Sequence, residues 1–93
     1  MNAKSITIKA YIGSNNITKE LEVDTIVAIL NKNHDSFTLD YPVIGYWRGE
    51  AEHTTIIYLA DDERKVLATL EELKTTLRQE AIAYQIEAEM NII

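Results

Sequence analysis

One short stretch gathers the residues of this chain best suited to chemistry or recognition. Residues 40–54, DYPVIGYWRGEAEHT, hold its only Pro, its only Trp, two of its three Gly and one of its two His. Tyr46 and Trp47 offer flat apolar area, and Arg48 offers a planar cation able to fork onto a carboxylate or phosphate. Trp, Tyr and Arg are the residue types most enriched at binding hot spots. Glycines at 45 and 49 let the backbone turn, or let a ligand come close. The chemistry this suits is recognition: Tyr46 and Trp47 stacking a base, and Arg48 meeting phosphate. Glu50, Glu52 and the distant Gln79 would hydrogen-bond ribose or base edges. The competing structural assignment has Trp47 plugging the end of the core and Arg48 paired with Glu50 or Glu52.

Catalytic chemistries fare worse. The chain has no cysteine, which excludes disulfides, thiolate nucleophiles and Cys-based metal sites. Its one Pro is internal, so the N-terminal proline base of the tautomerases is missing. A Ser/His/Asp hydrolase has the residue types but no nucleophile elbow. Glu50-x-Glu52-His53 lacks the helical His-x-x-x-His spacing of a zinc site. On a strand, Glu50 and Glu52 would share one face while His53 points away. Gly45 and Gly49 lie between strands, with no Lys-Ser/Thr and no helix following, so they form no phosphate loop. We therefore expect no catalytic residue, no metal and no cofactor; an enzyme working through Glu50, Glu52, His53 or Glu80 is the outside reading.

Composition bounds the rest. Ninety-three residues suit a single domain, 1–93, with one modest core. Apolar residues at 46% and charged residues at 26% are globular values. The formal charge is −6 and the pI about 4.8. That sign repels phosphate backbones and disfavours direct nucleic-acid binding. No apolar run approaches the about twenty residues of a membrane span, and the N-terminus has no signal-peptide h-region. The expected location is cytoplasmic, without a membrane partner.

The elements that must carry the stretch can be read from periodicity. Ile6, Ile8, Ala10 and Ile12 alternate with Ser5, Thr7, Lys9 and Tyr11, a strand with one buried face. Residues 13–16 turn the chain. Thr18 or Asp24 caps a first helix whose stripe is Val23, Ile26, Val27 and Leu30, with Glu20 and Glu22 in its first turn. Asn31, Asn33 and His34 fray its end. Phe37, Leu39, Tyr41 and Val43 alternate as a second strand, with Pro42 on an edge or at a bulge. A tip over residues 45–49 leads to a central strand, TTIIYL, at 54–59. Asp61 caps a second helix with Val66, Leu67, Leu70, Leu73 and Leu77 as its stripe. Ile82, Tyr84, Ile86, Ala88 and Met90 then alternate as a last strand, with an apolar tail at 91–93.

The order β-α-β-β-α-β, with right-handed crossovers, predicts an α+β fold. Its four-stranded antiparallel sheet has strands 1 and 3 in the centre and both helices on one face, the ferredoxin-like arrangement. Two helices leave the other face open, with Tyr11, Ile56 and Tyr58 at its centre. An apolar aromatic patch of that kind marks an interaction site, and we expect a second subunit to bury it. RNA-recognition domains share this topology, but strand 3 lacks their Gly-and-aromatic signature and Glu87 and Glu89 would line the sheet with negative charge.

Phe37-Thr38, Gly45-Tyr46-Trp47-Arg48-Gly49-Glu50, Glu52-x-Thr54 and Gln79-Glu80-Ala81 together make a pattern. Over residues 8–90 it resembles small uncharacterised proteins of phages and mobile elements, and the tautomerase-like group of unknown function with G-x-W then Q-E-A. The resemblance implies that Trp47 and the Gln79-Glu80 corner are related in space. In the fold above that meeting depends on how subunits pack. The function expected is a non-catalytic binding protein of phage type: a host-defence antagonist sequestering a small nucleotide signal in an inter-subunit pocket. The alternative is an acidic protein–protein inhibitor whose Glu63, Glu71 and Glu72 meet a basic host effector.

Overall fold

A computed structural model describes residues 5–87. The elements are β1 (Ser5–Gly13), α1 (Val23–Asn33), β2 (Thr38–Trp47), β3 (Glu50–Asp62), α2 (Glu63–Thr76) and β4 (Ala83–Ile86). The strands form one antiparallel sheet in the order β2-β3-β1-β4. This is the ferredoxin-like α+β fold, with β1 and β3 central. The expected run of the last strand through Ala88, Glu89 and Met90, and the tail after it, lie outside the described residues. Among the described residues no helix is long and apolar enough to cross a membrane.

Alternation along β1 sets the core. Ile6, Ile8, Ala10 and Ile12 are buried against Ile57 and Leu59 of β3 and the helices' Ile26, Ile29, Leu30, Val66, Leu70 and Leu73. A full side chain of this kind contributes roughly 1.5–3 kcal/mol on burial, so the helix-covered face dominates the fold's stability. Leu67, expected in the α2 stripe, is 39% exposed; Thr69 is buried in its stead. At about 100° per residue, position 67 turns away from the arc holding 66, 69, 70 and 73.

The helix starts differ from expectation. Asp62, not Asp61, caps α2, its carboxylate accepting from the Lys65 N–H at 3.1 Å. α1 begins at Val23 without a side-chain cap. Thr18 belongs to the preceding loop, where Asn15 Oδ1 accepts from the N–H groups of Ile17 and Thr18, and Asn15 Nδ2 donates to Glu22. That loop takes up Glu20 and Glu22, leaving Asp24 as the acid of the first turn.

Pro42 sits where its missing N–H is harmless. β2 is an edge strand, and its register with β3 shifts between Asp40 and Val43. Beyond the shift the two strands run further than expected, pairing through Trp47 and Glu50. The tip therefore shrinks to Arg48 and Gly49, at φ 50° and 81°, a two-residue hairpin turn of the kind needing positive φ at both positions. Because β1 stops at the Gly13–Thr54 pair, the last part of this hairpin projects as a two-stranded ribbon past the sheet.

Candidate functional site

Where the ribbon leaves the sheet, a cleft of about 440 Å³ opens between it and the segment leading into β4. Strand register assigns its walls. Thr54 and Ile56 of β3 share the open face with Tyr11 of β1, and Val43, Gly45 and Trp47 of β2 follow on the same side. The opposite wall is residues 79–83. β4 begins opposite Tyr11, so the chain arriving from α2 must cross the end of β1 beside the ribbon. Gln79 and Glu80 therefore line the same cleft as Trp47 within one chain; no second subunit is required to bring them together.

Two glycines make the floor. A Cβ on Gly13 would lie 2.6 Å from Glu52 Oε1, and one on Gly45 would lie 2.6 Å from Thr54 Oγ1. Gly13 pairs with Thr54 and Gly45 with Glu52, so the bare backbones flank β3 on both sides. In strand interiors, such glycines permit close approach of another group. Here the group is the Glu52 carboxylate, laid across Gly13.

The expected ligand-binding residues separate into groups. Tyr46, Trp47, Glu52 and Gln79 line the cleft, while Glu50 lines a neighbouring hollow together with Glu52 and His53. Tyr46 and Trp47 cannot stack one base jointly. They are consecutive in β2, so their side chains leave opposite faces of the ribbon; Trp47 shares the open face with Glu52, and Tyr46 sits at the rim, 74% exposed. Trp47 does not plug the core, being 53% exposed. Arg48 does not line the cleft. Its guanidinium lies over the Trp47 ring, 5.4 Å from the centroid, and among the described residues it joins no ion pair with Glu50 or Glu52.

On the open face, Tyr11 and Ile56 border the cleft and Tyr58 lies further along β3. Lys9 runs between the tyrosines, its Nζ 5.8 Å from the Tyr11 ring and 5.7 Å from the Tyr58 ring. The Tyr11 hydroxyl donates to Gln85 Oε1 at 2.9 Å. The patch is thus amphipathic, with a cation seated on aromatic faces.

A second polar cluster escaped the sequence reading. His34 does not fray α1; it is buried, with Nδ1 donating to Asp61 Oδ2 at 2.8 Å and Nε2 2.7 Å from the Thr69 hydroxyl. This reproduces the connectivity of an acid–base–nucleophile triad. The cluster is closed off from solvent, with Thr69 at 2% and His34 at 6% exposure, so in this arrangement the hydroxyl is packed between elements rather than presented to a substrate. Its role is to lock α1, β3 and α2 together. The His34 hydrogen bond, helped by the Asp62 N–H and the nearby Lys65 charge, holds the Asp61 carboxyl below its ordinary value against the opposing effect of burial. Glu72 is similarly committed: it pairs with Lys32 and accepts from Asn33 Nδ2 at 3.3 Å. Among the described residues no group of three His, Asp or Glu side chains converges as a metal site requires.

No family model and no curated protein matches the chain. Solved structures do. A DUF3240-family protein from Shewanella baltica is 18% identical with a TM-score of 0.68, the match covering 100% of this chain and 99% of that one. CPII from Thiomonas intermedia, a nitrogen regulatory PII-like protein bound to ADP, AMP and bicarbonate, is 12% identical with a TM-score of 0.63, covering 98% and 100%. A phage SAM lyase in complex with S-methyl-5′-thioadenosine is 19% identical with a TM-score of 0.55, covering 94% and 83%. What they share with this chain is the fold.

Proposed function

We propose that this chain is a non-catalytic binding protein. It holds a small ligand bearing a nucleobase and ribose in the Trp47 cleft, and a second copy laid on the open face encloses that ligand. The carrying observation is the cleft itself: a half-exposed Trp47 ring beside a glycine floor, faced by Glu52, Gln79 and Glu80. The ring supplies a stacking surface, and the carboxylates and amide supply acceptors for ribose hydroxyls and base amines. Two neighbours of the same fold are described with adenosine-bearing ligands, which supports the ligand class. Retention rather than reaction is the role proposed, because among the described residues no hydroxyl lining the cleft is hydrogen-bonded to a His or carboxylate that could activate it. For a protein of phage type, retention means sequestering a small signal. Of the three acids of the acidic-inhibitor alternative, Glu72 is the one that already pairs within the chain, with Lys32 and Asn33.

Trp47 is the only tryptophan, so its fluorescence reports the site directly. Adenosine should quench or shift its emission, and calorimetry should show that Trp47→Ala weakens binding about tenfold or more, the loss of one stacked base. Native mass spectrometry should show the ligand retained by an oligomer. Absence of any response to adenosine or AMP at millimolar concentration, by either method, rejects the reading.

A further inference from the structure

We propose that the cleft selects by charge, accepting nucleosides that are uncharged or cationic and rejecting nucleoside phosphates. The inference rests on the binding role above and narrows its ligand.

Among the described residues, the charged side chains lining the cleft are Glu52 and Glu80, and no Lys, Arg or His lines it. The hairpin's own cation, Arg48, is engaged over the Trp47 ring outside the lining. Arg78, next in chain to Gln79, is likewise outside it. Neither glutamate joins an ion pair among the described residues, so their negative charge is not neutralised locally.

Glu52 is held in the site by construction. The missing side chain at Gly13 gives its carboxylate the space it occupies, since a Cβ there would come within 2.6 Å of Oε1 and 2.9 Å of the carboxyl carbon. Thus the acid lies across the floor, where a ligand must rest on it.

A carboxylate only accepts hydrogen bonds. Ribose hydroxyls, an exocyclic amine or an ammonium group can donate to it; a phosphate dianion offers no proton and adds like charge at close range. In a concave site that partly excludes water, this repulsion is stronger than in bulk. The protein's net charge of −6 adds a field of the same sign. A cation instead gains from both carboxylates.

The test is a matched series differing at one position of the ribose: 5′-amino-5′-deoxyadenosine, adenosine and AMP, titrated by Trp47 fluorescence and calorimetry at low and high salt. Affinity should fall in that order, with AMP about tenfold or more weaker than adenosine at low ionic strength and the gap narrowing in salt. Glu52→Gln and Glu80→Gln, each checked for an unchanged melting curve, should shrink the gap by relieving AMP. AMP binding as tightly as adenosine, or a gap that neither substitution changes, overturns the charge rule while leaving the binding role intact. No response to any of the three overturns both.

Discussion

The two ends of β3 carry the molecule's two polar clusters, and they are built on opposite principles. At the C-terminal end, Asp61 points to the helix side and closes a network with His34 and Thr69 in which each polar atom has a partner. At the other end, Glu52 points to the open side with Gln79 and Glu80 across a cleft, and none of them is tied to another side chain among the described residues. A satisfied buried network specifies structure; unspent hydrogen-bonding groups around a concavity are available to something else. Residue type alone does not separate the cases. The closed cluster has the residues of a catalytic triad, whereas the open one gathers carboxylates, amides, hydroxyls and an indole ring around a concavity.

Substitution at each end should separate stability from binding. His34→Leu leaves the Thr69 hydroxyl buried without a partner and strips Asp61 of its principal hydrogen bond, so it should lower unfolding free energy by about 2–4 kcal/mol in urea titrations. Trp47→Ala, at a half-exposed ribbon position, should cost under about 1 kcal/mol. If Trp47→Ala proved as destabilising as His34→Leu, the ribbon end would be part of the fold and the contrast between the ends would fail.

A smaller effect tests the closed end by pH. Asp61 is held below its ordinary value of 3.8, chiefly by His34. A carboxyl depressed on folding contributes stability that is fully present above the unfolded value and is lost as pH falls through the folded one. The stability contributed by Asp61 should therefore persist down to about pH 3.8 and disappear below it. Asp61→Asn should flatten that part of the stability–pH curve, measured by chemical denaturation between neutral and strongly acid pH, while Glu52→Gln should not. An identical acid limb in Asp61→Asn would remove the carboxylate from the account.

How much of this was legible depends on where the partners lie along the chain. Alternation over Ile6, Ile8, Ala10 and Ile12, the two-sided apolar run around Ile57, and the α2 spacing led directly to the sheet order and the covered face, because each is a local periodicity. His34 was misread because its partners are 27 and 35 residues away; an Asn-rich stretch ending in His looks like a fraying helix until Asp61 and Thr69 are folded against it. The opposed faces of Tyr46 and Trp47 carried a readable signal, since neighbours on a strand always diverge. Treating residues 45–49 as a loop hid it. The cleft's floor was not legible at all: that Gly13 makes room for Glu52 follows from the pairing of Gly13 with Thr54, which brings distant stretches side by side.

That pairing yields the finest test of the open end. Gly13→Ala places a methyl where the Glu52 carboxylate now lies, 2.6 Å from Oε1 in the present geometry. The obstacle is the far end of a flexible side chain, not backbone, so Glu52 can swing aside. Gly13 is also in an ordinary strand conformation rather than at positive φ, and Ala is accepted there without backbone strain and with less entropy to lose. Thermal stability should accordingly change by less than about 1 kcal/mol, in either direction. Binding should respond more. With its carboxylate displaced from the floor, Glu52 can neither accept from a ribose hydroxyl nor repel a phosphate as strongly. Gly13→Ala should therefore weaken adenosine and relieve AMP, narrowing the gap between them as Glu52→Gln does although the charge itself is kept. A Gly13→Ala protein that binds both ligands as the parent does would show that the carboxylate acts through its charge alone, wherever it sits, and that the glycine floor serves only the packing of the sheet.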